Sequence, residues 1–170
     1  MLRSNARAEA YDASIALKVI NQHKHLAGAM LPILHALQAE FGYVDKQTVP
    51  LIAEALNVSK AEVHGVISFY HDFKTKPQGA HVIKLCLAEA CQSMGCDGIK
   101  AHVLRKHSLE MGGTTADGKL TIEAVYCLGN CSLAPAALVG DALVGRLTAA
   151  RLDTLVEALG VKPAGAHHAH

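Results

Sequence analysis

The sequence predicts an α/β (α+β) protein, in which an N-terminal helical region precedes a small mixed-sheet domain. Apolar residues recur with helical spacing through the first seventy residues, whereas β-branched runs alternate with helical patterns in the second half of the chain. A polar stretch containing Pro77 and Gly79 separates the two patterns. We therefore expect a helical region over residues 1–76 and a sheet domain over residues 77–163.

Four helices are predicted before that boundary, each from an apolar stripe. The second is the best marked, because Ile33, Leu34 and Leu37 share one face and Gly42 stops the helix. The stripes are narrow, so we expect a poor independent core and a surface that docks on another protein. The helices begin near Asp12 or Ser14, at Met30, at Thr48 and at the Ser59-Lys60-Ala61-Glu62 capping box, and end near His25, Phe41, Asn57 and Tyr70.

Strands and helices alternate in the rest of the chain. One helix is predicted from about Asp97 to Leu109, and another follows the Thr148 cap and closes at Gly160. The pair Gly140-Asp141 separates two short apolar runs and predicts a hairpin turn. The strands are predicted at residues 81–85, 120–126, 136–139 and 142–144. This β-α-β-β-β-α order is compatible with a small mixed sheet carrying helices, as in thioredoxin-like folds.

Four cysteines form two close pairs, and each pair follows a predicted strand. Cys86 and Cys91 make a C-x4-C motif, and Cys127 and Cys131 make a C-x3-C motif. If the two strands are neighbours in one sheet, both motifs emerge at the same end and the four sulfurs converge. Four thiolates complete the coordination of a zinc ion or of a 2Fe-2S cluster. Zinc sites most often use tighter C-x2-C knuckles and wider gaps suit a two-iron cluster, so the spacing decides between them only in part.

Composition and charge exclude several classes of function. The chain has 16 basic and 15 acidic residues and a net charge of +1, so it lacks the basic footprint of a nucleic-acid or anionic-membrane binder. No apolar run approaches the roughly 20 residues of a membrane span. The N-terminus has no apolar core typical of a secretory signal. We therefore expect a cytoplasmic protein without direct membrane insertion, where grouped cysteines are metal ligands or catalytic thiols.

Three other classes of protein can be compared with the sequence: a DNA-binding module, a thiol-disulfide enzyme and a complete enzyme. Segment 50–67 looks like a helix-turn-helix, but the helix that would read DNA offers no arginine. A thiol-disulfide enzyme usually needs a C-x-x-C motif, which the sequence lacks. No nucleotide-binding glycine motif occurs either, so we do not expect a complete enzyme. Cys96 is interpreted as a small core residue, and the His-rich segment 164–170 as a disordered tail.

Several short segments accompany the two cysteine motifs. They are Leu31-Pro32-Ile33-Leu34-His35, Phe41-Gly42-Tyr43-Val44, Ser68-Phe69-Tyr70-His71 and Gly145-Arg146-Leu147-Thr148. Together, from about Met30 to Leu159, they resemble the thioredoxin-like 2Fe-2S ferredoxin family, the small subunit of the NADH-oxidising flavin module in respiratory complex I. The same subunit type occurs in NAD-reducing hydrogenases and in NAD-dependent molybdenum formate dehydrogenases.

The resemblance implies an electron-transfer subunit whose cluster exchanges single electrons with FMN on a partner. The implied cluster ligands are Cys86, Cys91, Cys127 and Cys131. FMN and NAD are expected on a flavoprotein subunit, beside a larger catalytic subunit, with the helical region docking on its neighbour. Residues 88–95 look more like the gamma subunit of soluble NAD-dependent formate dehydrogenase than the complex I version. We therefore expect a formate dehydrogenase subunit, with complex I and NAD-reducing hydrogenase as alternatives.

Overall fold

A computed structural model describes residues 11–163 of the 170-residue chain. The chain divides into two compact units, and the division falls between Gln78 and Gly79. We call them the helical unit and the sheet unit. The segment 164–170, interpreted from the sequence as a disordered tail, lies outside the described residues. Within residues 11–163, no helix is long and apolar enough to cross a bilayer.

The helical unit contains the four helices that the sequence predicts. They are α1 (Ala13–His23), α2 (Met30–Phe41), α3 (Thr48–Leu56) and α4 (Lys60–Phe69). The Asp12 carboxylate caps α1 by accepting hydrogen bonds from the backbone of Ser14 and Ile15. A reciprocal capping box between Ser59 and Glu62 starts α4. Short polar side chains therefore set the starting points of α1 and α4.

The helical unit encloses its own hydrophobic core. Ile20, Leu34 and Ile52, from three of its helices, are fully buried there. Connecting segments contribute Val44 and Phe73 to the same core. The expectation of a poor independent core is therefore wrong, because residues between the helices fill the space that the narrow apolar stripes leave.

The sheet unit places helices on a four-stranded mixed sheet, which confirms the predicted α/β class. Its elements are β1 (His81–Cys86), α5 (Glu89–Ser93), α6 (Cys96–His107), β2 (Leu120–Val125), β3 (Ala137–Val139), β4 (Ala142–Val144) and α7 (Ala149–Ala158). The strand order is β2-β1-β3-β4. Strands β1 and β2 are parallel, and the β1–β3 and β3–β4 pairs are antiparallel. The Gly140-Asp141 turn joins β3 to β4, as predicted.

The parallel pairing of β1 and β2 positions the cysteine motifs. Parallel neighbours need a long crossover connection, which α5 and α6 provide. The pairing register runs from His81 opposite Leu120 to Cys86 opposite Val125, so both strands end together. Buried side chains of β1, β2, α6 and α7 form the core of the sheet unit.

Two short helical segments differ from the sequence prediction. Helix α5 carries Cys91, and a single 3₁₀ turn over Cys131–Leu133 begins with the last cysteine. The sequence predicts irregular loops at both places. A segment shorter than about two turns shows no readable apolar period, which is why neither is predicted. The second cysteine of each pair thus sits on a helical turn.

Candidate metal centre

The structure brings the two cysteine motifs to the same end of the sheet. Cys86 is the last residue of β1, and Cys127 follows the last residue of β2 by two positions. Cys91 lies on α5 and Cys131 opens the 3₁₀ turn. The two motifs therefore lie at the same end of the sheet, as expected from neighbouring parallel strands.

The four thiols are arranged as two pairs. The Sγ atoms of Cys127 and Cys131 lie 3.7 Å apart, and the thiols of Cys86 and Cys91 are hydrogen-bonded to each other. Two sulfur ligands on one tetrahedral metal, each about 2.3 Å from it, lie about 3.8 Å apart. The second pair therefore has the spacing of two ligands on one tetrahedral metal ion. In residues 11–163, no group of three or more His, Cys, Asp or Glu side chains surrounds a single ion position.

The two pairs differ sharply in their exposure. Cys86 and Cys91, the first thiol pair, each expose only 2% of their surface and belong to the core of the sheet unit. Cys127 and Cys131, the second thiol pair, are exposed. A metal group bound by all four sulfurs would be anchored in the protein interior on one side and would face outward on the other.

Backbone N–H groups converge on Cys86. Burial alone would raise the pKa of Cys86, but hydrogen bonds from the backbone of Ala88, Cys127 and Leu128 and from the Cys91 thiol lower it below its ordinary value. The backbone of the second motif thus contacts the sulfur of the first. Donors aimed at sulfur stabilise an anionic thiolate and any anionic group built on it.

The second cysteine motif has an unusual backbone. Cys127 has a φ of 90°, in the left-handed region that a non-glycine residue adopts only where its surroundings hold it. Gly129 has a φ of 73°, and its N–H donates to the Cys127 sulfur over 3.4 Å. This tightly turned backbone directs N–H groups at sulfurs of both thiol pairs. Strained backbone conformations of this kind concentrate at functional sites.

The second thiol of each pair has a raised pKa. Burial, with the hydrogen bond and charge of Cys86, raises the pKa of Cys91 to about 11. The hydrogen bond and charge of Cys127 raise the pKa of Cys131. Four thiolates so close together need a compensating cation, and a bound metal supplies one as the sulfurs release their protons.

Cys96 occupies a different environment from the four paired thiols. It is the first residue of α6 and is fully buried in the core of the sheet unit. Burial, followed by the charge of Asp97, raises its pKa. This burial confirms its interpretation as a small core residue, and the expectation that it is not a metal ligand stays a prediction.

Paired thiols at the end of adjacent parallel strands are an arrangement suited to a metal–thiolate group. Residues 16–160 match the family described as thioredoxin-like [2Fe-2S] ferredoxin. The chain belongs to this family, which confirms the thioredoxin-like fold and identifies a 2Fe-2S cluster as the cofactor. The donor set fits that cluster, because four soft thiolates supply two ligands for each iron.

Similar proteins are components of larger oxidoreductases. The chain is 36% identical over 129 residues to an NADH-quinone oxidoreductase subunit of Rhizobium meliloti, covering 76% of this chain and 77% of that one. It is 30% identical over 156 residues to an NADH-quinone oxidoreductase subunit of Escherichia coli, covering 89% and 94%. Against the HndA component of the NADP-reducing hydrogenase of Solidesulfovibrio fructosivorans, identity is 31%, covering 76% and 75%.

A solved NAD⁺-reducing [NiFe]-hydrogenase contains a similar fold. A chain of its air-oxidized structure aligns with a TM-score of 0.65 and 27% identity over 77% of this chain. The match covers only 22% of the hydrogenase chain. This chain therefore corresponds to one part of a longer polypeptide in that assembly.

Proposed function

We propose that this chain is an electron-transfer subunit of a multisubunit NAD-linked flavin oxidoreductase. The ligands we assign to its 2Fe-2S cluster are Cys86, Cys91, Cys127 and Cys131. The observation that carries the proposal is the arrangement of two thiol pairs at one end of β1 and β2, in a chain of a [2Fe-2S] ferredoxin family. When bound, the cluster supplies a one-electron carrier. The chain's own residues hold it and direct N–H groups at its sulfurs.

An exposed apolar surface supports exchange with a partner protein. Tyr126 directly precedes the second thiol pair and exposes 77% of its surface, and Leu133, two residues after Cys131, exposes 39%. Aromatic and large apolar residues exposed beside a functional site are typical of protein interfaces. We assign this face to a flavoprotein subunit carrying FMN and the nicotinamide site, because the present sequence has no nucleotide-binding glycine motif.

The cluster assignment can be tested on the purified chain. Iron and sulfide should be present in equal amounts, two of each per chain, with a spin-half EPR signal after reduction. A colourless chain that retains a single zinc after reconstitution would contradict the assignment. That result would leave the family relationship as one of fold alone.

The identity of the parent complex is a second proposal, more specific than the electron-transfer role. The names of the relatives favour a complex of the NADH-quinone oxidoreductase or hydrogenase type. Assignment to formate dehydrogenase depends only on the sequence of residues 88–95, most of which form α5 in the structure. The comparisons thus support the alternative parent complexes better than the expected one.

Co-purification tests the parent complex. The tagged chain should be isolated from its own source and its partner subunits identified by mass spectrometry. The isolated assembly is then supplied in turn with NADH, hydrogen and formate, and reduction of its iron–sulfur signal is followed. Reduction by formate with a molybdenum subunit present would restore the formate dehydrogenase assignment. Isolation without any flavoprotein would contradict the proposed function itself.

The helical unit is proposed to dock on the same neighbour. On α4, Phe69 exposes 74% of its surface, and its ring meets Tyr70 edge to face at 5.0 Å. Tyr70 in turn contacts the ring of the buried Phe73 at 6.1 Å, whereas the largely exposed Phe69 adds little to the core that the helices enclose. The docking role of residues 1–76 and the cytoplasmic location stay predictions.

A further inference from the structure

The segment Gly145–Leu147 connects β4 to α7 and lies against the second cysteine motif. The N–H of Arg146 donates to the carbonyl of Leu133 over 2.6 Å, and the N–H of Leu147 donates to the carbonyl of Pro135 over 2.9 Å. Leu133 ends the 3₁₀ turn that Cys131 begins, and Pro135 follows it by two positions. The connection to α7 is therefore attached to the backbone that carries one of the assigned ligands.

Gly145 has no room for a side chain. A Cβ atom at this position would lie 2.6 Å from the Leu133 Cβ, 2.7 Å from the Asn130 Nδ2 and 2.9 Å from the Leu133 carbonyl oxygen. The φ of Gly145 lies outside the left-handed region. Glycine is needed here for close approach of two backbones and not for its conformational freedom.

The two residues that crowd Gly145 flank Cys131 on either side. The N–H of Leu133 donates to the carbonyl of Asn130 over 3.0 Å, and the N–H of Ala134 donates to the carbonyl of Cys131 over 3.2 Å. These bonds close the tight turn in which Cys131 stands. The Asn130 amide can rotate away from a side chain at position 145, but the Leu133 Cβ and carbonyl cannot, so the turn would shift and move Cys131 relative to Cys127.

Arg151 also holds Gly145, through a hydrogen bond to its carbonyl oxygen. Its guanidinium Nη1 donates to the Gly145 carbonyl over 2.6 Å, although the side chain itself is exposed. Arg151 stands on the first turn of α7, whose buried Leu152 anchors the helix in the core. The glycine is thereby held between α7 and the cysteine motif.

We propose that Gly145 is a positioning residue for Cys131, with Arg151 holding it in place. A side chain at position 145 displaces Cys131 from the spacing that one iron requires and weakens retention of that iron. The inference depends on the proposed function, because it takes Cys127 and Cys131 as iron ligands.

The test compares Gly145→Ala with Gly98→Ala in the full-length chain. Gly98 lies in α6, and a Cβ there meets nothing within 4 Å. Release of iron to a chelator and the EPR spectrum of the reduced protein are measured beside thermal unfolding. Gly145→Ala should release iron several-fold faster and alter the EPR line shape, whereas Gly98→Ala should match the wild type. Equal release rates and spectra for Gly145→Ala and the wild type would overturn the proposal.

A second variant keeps the test decisive if Gly145→Ala does not fold. Arg151→Gln removes only an exposed guanidinium, and Arg105→Gln removes another exposed arginine as its control. Arg151→Gln should accelerate iron release in the same direction by a smaller factor. Identical release from the two arginine variants would count against the role of Arg151 and, with it, the proposed arrangement.

A cluster-independent measurement separates this inference from the proposed function. Amide hydrogen exchange over residues 127–135, measured in the metal-free chain, should be faster in Gly145→Ala than in Gly98→Ala. A wild-type chain without iron and sulfide would refute the proposed function, and the exchange data would still decide whether Gly145 orders the turn. Unchanged exchange would refute the positioning role.

Discussion

The sulfur of Cys127 lies 3.7 Å from the sulfur of Cys131, and Cys127 holds this position with a φ of 90°. The pair is therefore set by a backbone conformation as well as by its spacing in the sequence. Replacing either cysteine removes one of two ligands on the same assigned iron.

We expect Cys127→Ser to lose most of its iron and sulfide and its EPR signal. Serine offers a hard oxygen where the iron requires a soft sulfur donor. The control is Cys96→Ala, which removes the fully buried fifth thiol. This control should keep two irons and two sulfides and should lose only about 1 kcal/mol of folding free energy. Loss of the cluster in Cys96→Ala would show that the fifth cysteine takes part in binding.

Asp153 on α7 contacts two basic side chains of α6. Its carboxylate lies 3.0 Å from the Lys106 Nζ and 2.9 Å from the His102 Nε2, and all three side chains are less than a third exposed. We expect Asp153→Asn to lower the free energy of unfolding at pH 7 by about 1 kcal/mol. Urea unfolding of the metal-free chain measures this value. Glu157→Gln, which removes the more exposed partner of Lys106, should change it by less than about 0.5 kcal/mol.

The Asp153 contribution should also disappear in acid. Burial would raise the pKa of Asp153, but hydrogen bonds from Lys106 and His102 outweigh it and hold the pKa below its ordinary value of 3.8. The stabilisation is therefore complete above pH 3.8 and is lost as the pH falls through the lower folded-state pKa. Wild type and Asp153→Asn should converge in stability as the pH falls below this folded-state pKa. A constant difference between them at all pH values would contradict this account.

His107 should make the sheet unit sensitive to mild acid. It ends α6 with only 3% of its surface exposed, and neither ring nitrogen has a well-formed hydrogen bond within residues 11–163. Burial, aided by the charge of Lys106, lowers the pKa of His107 below its ordinary value of 6.5. The folded chain keeps the imidazole neutral while the unfolded chain takes up a proton, so stability falls as the pH drops below 6.5.

Replacing His107 tests that pH dependence. We expect His107→Leu to flatten the decline in stability between pH 6.5 and pH 5, because the neutral side chain has no proton to gain. The exposed residue His64 supplies the control, and His64→Gln should decline as the wild type does. The measurement is chemical unfolding of the metal-free chain at several pH values. Parallel declines in His107→Leu and the wild type would exclude His107 as the cause.

Phe69→Ala should weaken assembly without unfolding the helical unit. The ring is largely exposed, so its removal leaves the core intact. A central aromatic residue contributes about 2 kcal/mol to an interface, which corresponds to roughly a thirtyfold loss of affinity. Binding to the co-purifying flavoprotein, measured by calorimetry, should show this loss. Leu26→Ala, at another exposed apolar position, should bind normally. Equal affinities for Phe69→Ala and the wild type would remove Phe69 from the docking surface.

Long periodic segments and turn residues made much of the fold predictable. Helix α2 has a repeating apolar face and a terminal glycine, and the Gly140-Asp141 pair marks the β3–β4 hairpin. The two cysteine motifs followed predicted strands, and parallel pairing brought them together. The helix, the turn and the two motifs each depend on residues close together in the sequence, whereas the pairing of β1 with β2 was a condition that the sequence left open.

Other features of the site depend on residues far apart in the sequence. The contrast between buried Cys86 and exposed Cys127 accompanies a difference between the two strands, because the last residues are buried in β1 and half-buried in β2. The positive φ of Cys127 opposes its local preference and is held by the folded surroundings. The crowding of Gly145 arises from Asn130 and Leu133, which precede it by more than ten residues. No local pattern of residue types reports such contacts.

Because β1 and β2 are parallel neighbours, a metal group bound at their ends also links two distant parts of the chain. The chain between Cys91 on α5 and Cys127 contains α6 and β2 and separates the two thiol pairs, so a metal group bound to both pairs closes a long loop. Closing a long loop restricts the unfolded chain, and binding only to the folded chain shifts the equilibrium towards it. Iron content therefore reports whether β2 pairs with β1. A chain without that pairing cannot bind the metal group through both thiol pairs.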